Sequence, residues 1–128
     1  MVLATGSWYI SSITTTLEIK EVEENGKVTA GLPSYPDAQV SGNWSETQKA
    51  IFLRILQKWT NYRDPSGPRL PTLIIDHYGY VVGQEGEVRI LAGYYLLNDI
   101  QQHTVLPFRK GWYAFDRSIN LPPYPLPL

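Results

Sequence analysis

The feature that most constrains this chain is a series of short segments in which apolar and polar residues alternate. The stretch over residues 14–22 is an example, because charged side chains separate Leu17, Ile19 and Val22, and three threonines precede them. Alternation with a period of two is typical of a β-strand with one buried face. The pattern therefore predicts a strand that forms part of a sheet.

Turn signals separate such segments at short intervals. Asn25-Gly26 follows the first long strand and predicts a type I′ hairpin turn, since both central residues of that turn need positive φ. Residues 27–31 are therefore expected to pair back antiparallel. Further strands are predicted over residues 7–10, 38–44, 72–78, 87–97 as the longest, 104–106 and 111–115.

Residues 45–60 are compatible with two secondary structures. Ser45 to Gln48 match a helix capping box, and Ile51, Ile55 and Trp59 recur at helical spacing. The same residues also alternate between two faces, as a strand in a barrel wall would. We favour the strand, and a helix stays the alternative.

About eight strands with short connections fit an antiparallel up-and-down β-barrel, which has no free sheet edge. A β-sandwich is the alternative, because periodicity alone does not distinguish the two. The chain of 128 residues is long enough for one domain, expected over residues 1–117. An eight-stranded barrel is wide enough to hold one small ligand.

The tail over residues 118–128 has a different composition from the barrel. Proline stands at nearly every second position after Leu121, which predicts an extended, polyproline-like segment. The tail is a candidate docking arm. Alternatively, it folds back and places Tyr124 in the pocket of the barrel.

Composition excludes several classes of function. The chain has no cysteine, so disulfides and cysteine-based metal or redox sites are impossible. Its 11 lysines and arginines are scattered among 12 aspartates and glutamates, and no apolar stretch approaches the ~20 residues of a membrane span. We therefore expect neither nucleic acid nor membrane as a partner. Met1 to Ala4 are too few for a signal-peptide core, and the compartment stays open, secretion included.

Catalytic and metal sites are not predicted. Asp76, His77 and His103 have suitable side chains, but a zinc site needs three or four ligands, and adjacent residues of a strand face opposite sides. A structural or solvated role is therefore expected for His77. No Gly-x-Ser-x-Gly motif is present, and we expect no enzyme activity and no cofactor.

Several motifs, taken in order, resemble the avidin and streptavidin family. They are Thr5 to Tyr9, Asn25 to Gly31, Tyr35-Pro36 followed by Val40 to Gly42, Trp59 to Asp64, Tyr94 to Leu97, and Gly111 to Phe115. Together they extend over most of residues 5–115. The resemblance implies an eight-stranded barrel that binds biotin at its open end and assembles into a homodimer or homotetramer.

The resemblance also implies a set of ligand-binding residues, by residue type and position. They are Trp8, Thr14, Ser34, Trp59, Thr72, Tyr95 and Leu97. Three positions depart from the family: Ile10 and Leu32 replace an asparagine and a tyrosine that contact the ureido oxygen of biotin, and Tyr113 replaces an aspartate that contacts a ureido nitrogen.

These departures predict weaker recognition of biotin. Each lost hydrogen-bond partner costs about 1–3 kcal/mol. We therefore expect a binder of biotin, or of a biotin-like small molecule, with ordinary affinity. The alternative is a barrel whose own side chains, including Ile10, Leu32 and Tyr113, fill the interior, so that the protein serves as a structural or protein-interaction module.

Overall fold

The computed structural model of the chain describes residues 2–58, 72–82, 87–99, 104–105 and 109–118. These residues are in strands, turns and bends, and none of them forms a helix that could cross a membrane. The strands are β1 (Val2–Leu3), β2 (Gly6–Ile10), β3 (Thr15–Val22), β4 (Lys27–Gly31), β5 (Gln39–Ser45), β6 (Ala50–Lys58), β7 (Thr72–Val81), β8 (Glu87–Val88), β9 (Ile90–Asp99), β10 (Thr104–Val105) and β11 (Lys110–Asp116).

Eight of the strands close into an antiparallel barrel. Strands β2 to β7 are neighbours in chain order, β7 pairs with β9, β9 pairs with β11, and β11 returns to β2. The predicted up-and-down barrel is therefore confirmed, and the sandwich alternative is wrong. Closure pairs the backbone groups that an open sheet would expose along its two edges.

The hairpin between β3 and β4 pairs antiparallel as predicted, but its turn is of another type. Only Gly26 has positive φ, at 93°, and its N–H donates to the Glu23 carbonyl at 2.9 Å. The Glu23 N–H donates in turn to the Lys27 carbonyl at 2.9 Å. This is a three-residue loop, in which a type I turn ends on a left-handed glycine, and the predicted type I′ turn is wrong.

The segment for which the sequence allowed helix or strand forms a strand over Ala50–Lys58, and its residues 59–60 lie outside the described part of the chain. Strand β6 pairs with β5 and with β7 along its length. Residues 46–49 are the turn before it, in which the Gln48 N–H donates to Ser45 Oγ at 3.1 Å. The capping-box residues therefore close a hairpin instead of beginning a helix.

The strand predicted over residues 87–97 is divided at Arg89. Glu87–Val88 pairs in parallel with Val2–Leu3 outside the barrel ring, whereas β9 belongs to the ring. Sequence periodicity does not show this division, because it arises from pairing with a distant segment. The predicted strand at 104–106 is present as the short β10, which pairs with β9.

The barrel has two different ends. The turn at residues 11–14 and the loop at 32–38 lie at one end, which we call the upper end. The hairpin turns at 23–26 and 46–49 lie at the opposite, lower end. Near the lower end Leu3, Ala4 and Val88 are buried side by side with the core. Strand β1 therefore plugs only part of this end, and a cavity of about 640 Å³ remains beside it, lined by Val2, Leu3 and Trp44 among others.

The middle of the lumen is filled by the chain's own side chains. Those exposed by 1% or less include Trp8, Ile10, Leu17, Leu53, Ile55 and Leu91. They come from alternate positions of their strands, as expected for residues on the inner face of a small barrel. Any space for a ligand within the described part of the barrel is therefore confined to its ends.

Candidate functional site

A hydrogen bond joins two polar side chains inside the upper part of the barrel. Ser12 Oγ lies 2.6 Å from His77 Nε2. His77 comes from β7 and has no exposed surface, whereas Ser12 is half-buried in the turn at 11–14. Neighbouring buried side chains such as Ile10 and Leu53 are apolar, so this pair introduces polar chemistry into a hydrophobic lumen.

The turn that carries Ser12 is fixed to the barrel wall by its neighbour. The Ser11 N–H donates to the Tyr113 carbonyl at 2.9 Å, and the Tyr113 N–H donates to Ser11 Oγ at 2.8 Å. The Thr14 N–H donates to the Ser11 carbonyl at 3.3 Å. These three bonds hold the turn over β11 and leave the next side chain, Ser12, directed at His77.

Aromatic rings enclose the imidazole of His77. The ring of Tyr95 stacks on it with centroids 5.6 Å apart, and Trp112 meets it edge-on at 5.0 Å. Trp112 is itself fixed, because its Nε1 donates to the carbonyls of Tyr78 and Tyr94 at 3.2 and 3.0 Å. The imidazole is therefore held in one orientation from two sides.

Burial makes the imidazole of His77 a neutral group at physiological pH. It lowers the pKa of His77 to about 4, although the nearby carbonyls of Leu53 and Ile75 and the charge of Asp76 favour protonation. Among the described residues, Nδ1 of His77 is buried without a hydrogen-bond partner of good geometry. An unpaired buried polar atom of this kind costs about 1–3 kcal/mol.

The pair can act as donor or acceptor toward a third molecule. If the Ser12 hydroxyl donates to His77 Nε2, its lone pairs are free to accept from a ligand N–H. If Nε2 carries the proton, Ser12 is free to donate to a ligand carbonyl. Because Ser12 is the half-buried member, a ligand at the upper end would meet the hydroxyl and not the imidazole.

Asp76 takes no part in this site. It faces outward, opposite to His77, and binds Arg54 through Nε to Oδ1 at 2.8 Å and Nη2 to Oδ2 at 2.9 Å. The hydrogen bond to Asp76 raises the pKa of Arg54. The prediction that Asp76 and His77 face opposite sides is confirmed, and within the described ranges no group of three His, Cys, Asp or Glu side chains could hold a metal ion.

Two of the sequence-predicted ligand residues lie near this pair. Tyr95 and Leu97 are half-buried on β9, pack against the core and pair in register with His77 and Ile75. Tyr94 faces the other side, where it stacks on Tyr78 with centroids 5.0 Å apart. Tyr95 and Tyr94 therefore lie on opposite faces of β9, as adjacent residues of a strand do.

The structure places Trp8 apart from Thr14 and Ser34, two other predicted ligand residues. Trp8 is 0% exposed, and its Nε1 donates to the Ala4 carbonyl at 3.0 Å, which makes it part of the core near the lower end. Thr14 and Ser34 are exposed in the two described loops of the upper end. Trp59 and the side chain of Thr72 lie outside the described residues.

The three positions that depart from the family pattern are also separated. Ile10 and Leu32 are buried, at 0% and 3% exposure, within the core cluster. Tyr113 is 51% exposed and packs on the outer wall against Tyr9 and Phe115. The suggestion that Tyr113 helps to fill the interior is therefore wrong, because its strand presents Trp112 and Ala114 to the core instead.

Sequence reasoning missed Ser12 and the inward position of His77 next to it. The alternation Trp8, Ile10, Ser12 contains a signal for the first, because it continues the inner face of β2 by one more step. His77 has no comparable signal. Its contact with Ser12 joins residues 65 positions apart, which only the register around the barrel brings together.

Comparison of this chain with protein-family models, curated proteins and solved structures found no match. The resemblance to the avidins stays a prediction from the sequence motifs.

Proposed function

We propose that this protein is a non-enzymatic binder of a small molecule, which it takes up at the upper end of the barrel. The observation that carries the proposal is the Ser12–His77 hydrogen bond. It places one buried and one half-buried polar side chain among apolar neighbours such as Ile10 and Leu53, at the upper end of the barrel. A barrel that needed only a stable core would gain more from an apolar residue at position 77, since the unpaired Nδ1 is costly.

The surroundings of the pair favour a small, neutral ring with a polar edge. Tyr95 offers an aromatic face, Leu97 and Ile13 offer apolar surface, and Ser12 offers one hydroxyl. A neutral His77 adds no charge to attract an ion. Biotin, or another cyclic urea or amide, has the N–H and carbonyl groups that this hydroxyl can pair with, and the sequence motifs make biotin the first ligand to test.

Recognition of the ureido group would differ from that in the avidins that the sequence resembles. Ile10 and Leu32 are buried and offer no hydrogen bond where that family has an asparagine and a tyrosine. Ser12 would replace part of this polar recognition. With one hydroxyl in place of several partners, we expect affinity far below the limit for non-covalent complexes.

Thermal unfolding with and without excess biotin tests the proposal. A ligand at 100 times its dissociation constant stabilises the folded state by about 2.7 kcal/mol. We expect a rise in melting temperature, together with a change in tryptophan emission, because Trp112 is in contact with His77. Native mass spectrometry of the purified protein would show whether another small molecule is already bound.

The variant Ser12→Ala should remove the shift, and Ser41→Ala, on the exposed outer face of β5, should leave it unchanged. A melting temperature that biotin and cyclic ureas do not change, together with a native mass equal to that of the bare chain, would contradict the proposal.

One observation favours a second candidate function. Side chains that are fully buried, among them Trp8, Leu53 and Ile55, already fill the middle of the lumen. A barrel of this kind can serve as a rigid structural or protein-interaction module that contacts its partner through the outer wall. The thermal experiment separates the two functions, because a filled barrel gains no stability from a small molecule.

Homodimer or homotetramer formation, which the family resemblance implies, belongs to the same proposal. Light scattering after size-exclusion chromatography would give the number of subunits, and the scattering mass of a single chain at all concentrations would exclude it.

A further inference from the structure

An aromatic surface lies on the outer wall of the barrel, where β2 and β11 pair. Tyr9, Tyr113 and Phe115 form it, with ring centroids 5.3 to 6.4 Å apart. Tyr113 is 51% exposed, and Tyr9 and Phe115 are half-buried. We call these three residues the outer aromatic face.

We infer that the proline-rich segment over residues 119–128 packs on the outer aromatic face of its own chain. This inference is independent of the proposed ligand at the upper end. It rests on the position of the last described residues, on the length of the segment and on the chemistry of the two surfaces.

The chain leaves the barrel immediately beside the outer aromatic face. After β11, the Arg117 N–H donates to the Ser7 carbonyl at 3.0 Å, and the Ser118 N–H donates to Asp116 Oδ1 at 2.9 Å. The Arg117 guanidinium lies 5.7 Å from the ring centre of Tyr9. The described part of the chain therefore ends at the border of the face, on the outside of the barrel.

The length of the segment suits this surface. Ten residues in a polyproline conformation extend about 31 Å, at about 3.1 Å per residue. Tyr113 and Phe115 are two positions apart on one strand, which is about 7 Å. The segment can turn back and cross the whole face. To enter the upper end, the segment would first have to run along the whole of β11, whose seven residues extend about 20 Å.

The chemistry of the segment matches that of the face. Polyproline helices repeat every three residues, so Pro122 and Pro125 lie on one edge, as in the Pro-x-x-Pro segments that dock in aromatic grooves. Such a helix loses little conformational entropy on binding, because proline restricts it beforehand. Its prolines also have no backbone N–H group. Docking therefore removes few hydrogen-bond donors from water.

A spin label at the end of the segment tests the inference in the full chain. Because the chain has no cysteine, Leu128→Cys offers a single attachment site. We expect loss of the backbone amide signals of Tyr9, Tyr113 and Phe115, and retention of those around Tyr80 on β7. The loss should stay the same on dilution, and it should be absent when labelled chains are mixed with isotope-enriched, unlabelled ones.

Two variants serve as the matched pair. Tyr113→Ser should restore the amide signals of Tyr9 and Phe115, whereas Tyr80→Ser, which removes a tyrosine of similar exposure at 54%, should not. The double change Pro122→Ala and Pro125→Ala should also restore them, and it leaves the barrel untouched in case Tyr113→Ser does not fold.

Three results would overturn the inference. Weak broadening over the entire barrel would mean a free tail. Loss of the signals of Ser12 and Tyr95 would mean a tail bound at the upper end. Loss in the mixed sample would mean that the tail binds a second copy.

Discussion

Gly79 lies directly beneath the indole ring of Trp112. A Cβ atom at Gly79 would come 2.6 Å from Trp112 Cζ2 and 3.1 Å from Ile51 Cγ2. The glycine thus leaves the space that the indole of Trp112 occupies while its Nε1 donates to the Tyr78 and Tyr94 carbonyls. Because Trp112 also contacts His77, this glycine indirectly helps to position the imidazole of the candidate site.

We expect Gly79→Ala to lower the free energy of unfolding by about 1–3 kcal/mol, the usual cost of overpacking a core. Urea denaturation followed by tryptophan emission would measure it. The control is Gly111→Ala, whose Cβ would meet only the Gly93 carbonyl oxygen at 3.8 Å. Equal stability of the two variants would show that Trp112 can move aside.

A second prediction concerns Gly26 in the β3–β4 hairpin. Its φ is 93°, and a Cβ there would collide with the Trp44 carbonyl oxygen. Gly6 also has positive φ, at 108°, but no atom lies within 4 Å of its Cβ position. We expect Gly26→Ala to destabilise the fold by more than Gly6→Ala, because only the former adds a collision to the backbone strain of about 1–2 kcal/mol.

Thermal unfolding of the two alanine variants measures the difference. An equal loss of stability in the two variants would mean that the strain at positive φ accounts for the whole effect. The backbone at Trp44 would then move to make room for the added Cβ.

A third prediction concerns the ion pair on the outer wall. Asp76 is 8% exposed at its side chain, and both of its oxygens accept from Arg54. Arg54→Gln should lower the free energy of unfolding by about 1–3 kcal/mol, since it leaves a nearly buried carboxylate without its charged partner. Asp76→Asn in the same chain should recover part of this loss.

Urea denaturation of the two single variants and the double variant gives a double-mutant cycle. Losses that simply add would show that the two side chains are not coupled in solution.

A fourth prediction concerns pH. The pKa of His77 is about 4 in the folded state, against about 6.5 for a free histidine. The unfolded chain therefore binds a proton at a higher pH than the folded chain does. The His77 contribution is complete above pH 6.5, and the free energy of unfolding falls by roughly 3 kcal/mol as the pH drops from about 6.5 to about 4.

Denaturation curves at several pH values would measure this dependence, with His77→Phe as the comparison. The difference between the protein and the variant should change across that window and be constant above it. A difference that is constant from pH 7 to pH 4 would mean that the pKa of His77 in the folded state is close to that in the unfolded chain.

Much of the fold follows from residues close together in the sequence. Alternating apolar residues predicted the strand around Leu17, and Gly26 marked the hairpin between β3 and β4. These patterns are local, because strand faces and turns depend on neighbouring residues. The type of the turn was predicted wrongly, since Asn25 has no positive φ once the strands set the loop length.

The candidate site was predictable only in part. The family motifs pointed to Tyr95 and Leu97, which the structure places on the inner face of β9. They also pointed to Trp8, but its indole N–H donates to the carbonyl of Ala4, the residue that follows β1. No local pattern predicts that contact, because β1 is held in place by pairing with β8, which is far away in the sequence.

The sequence by itself determined which segments become strands, which side of each strand is apolar and where most turns lie, because these properties depend on residues within a few positions of one another. Only the tertiary structure decided that the sheet closes, that Ser12 meets His77 and that Trp112 rests on Gly79. Those contacts depend on the register between strands around the ring, and a shift of that register would break them without altering any local pattern.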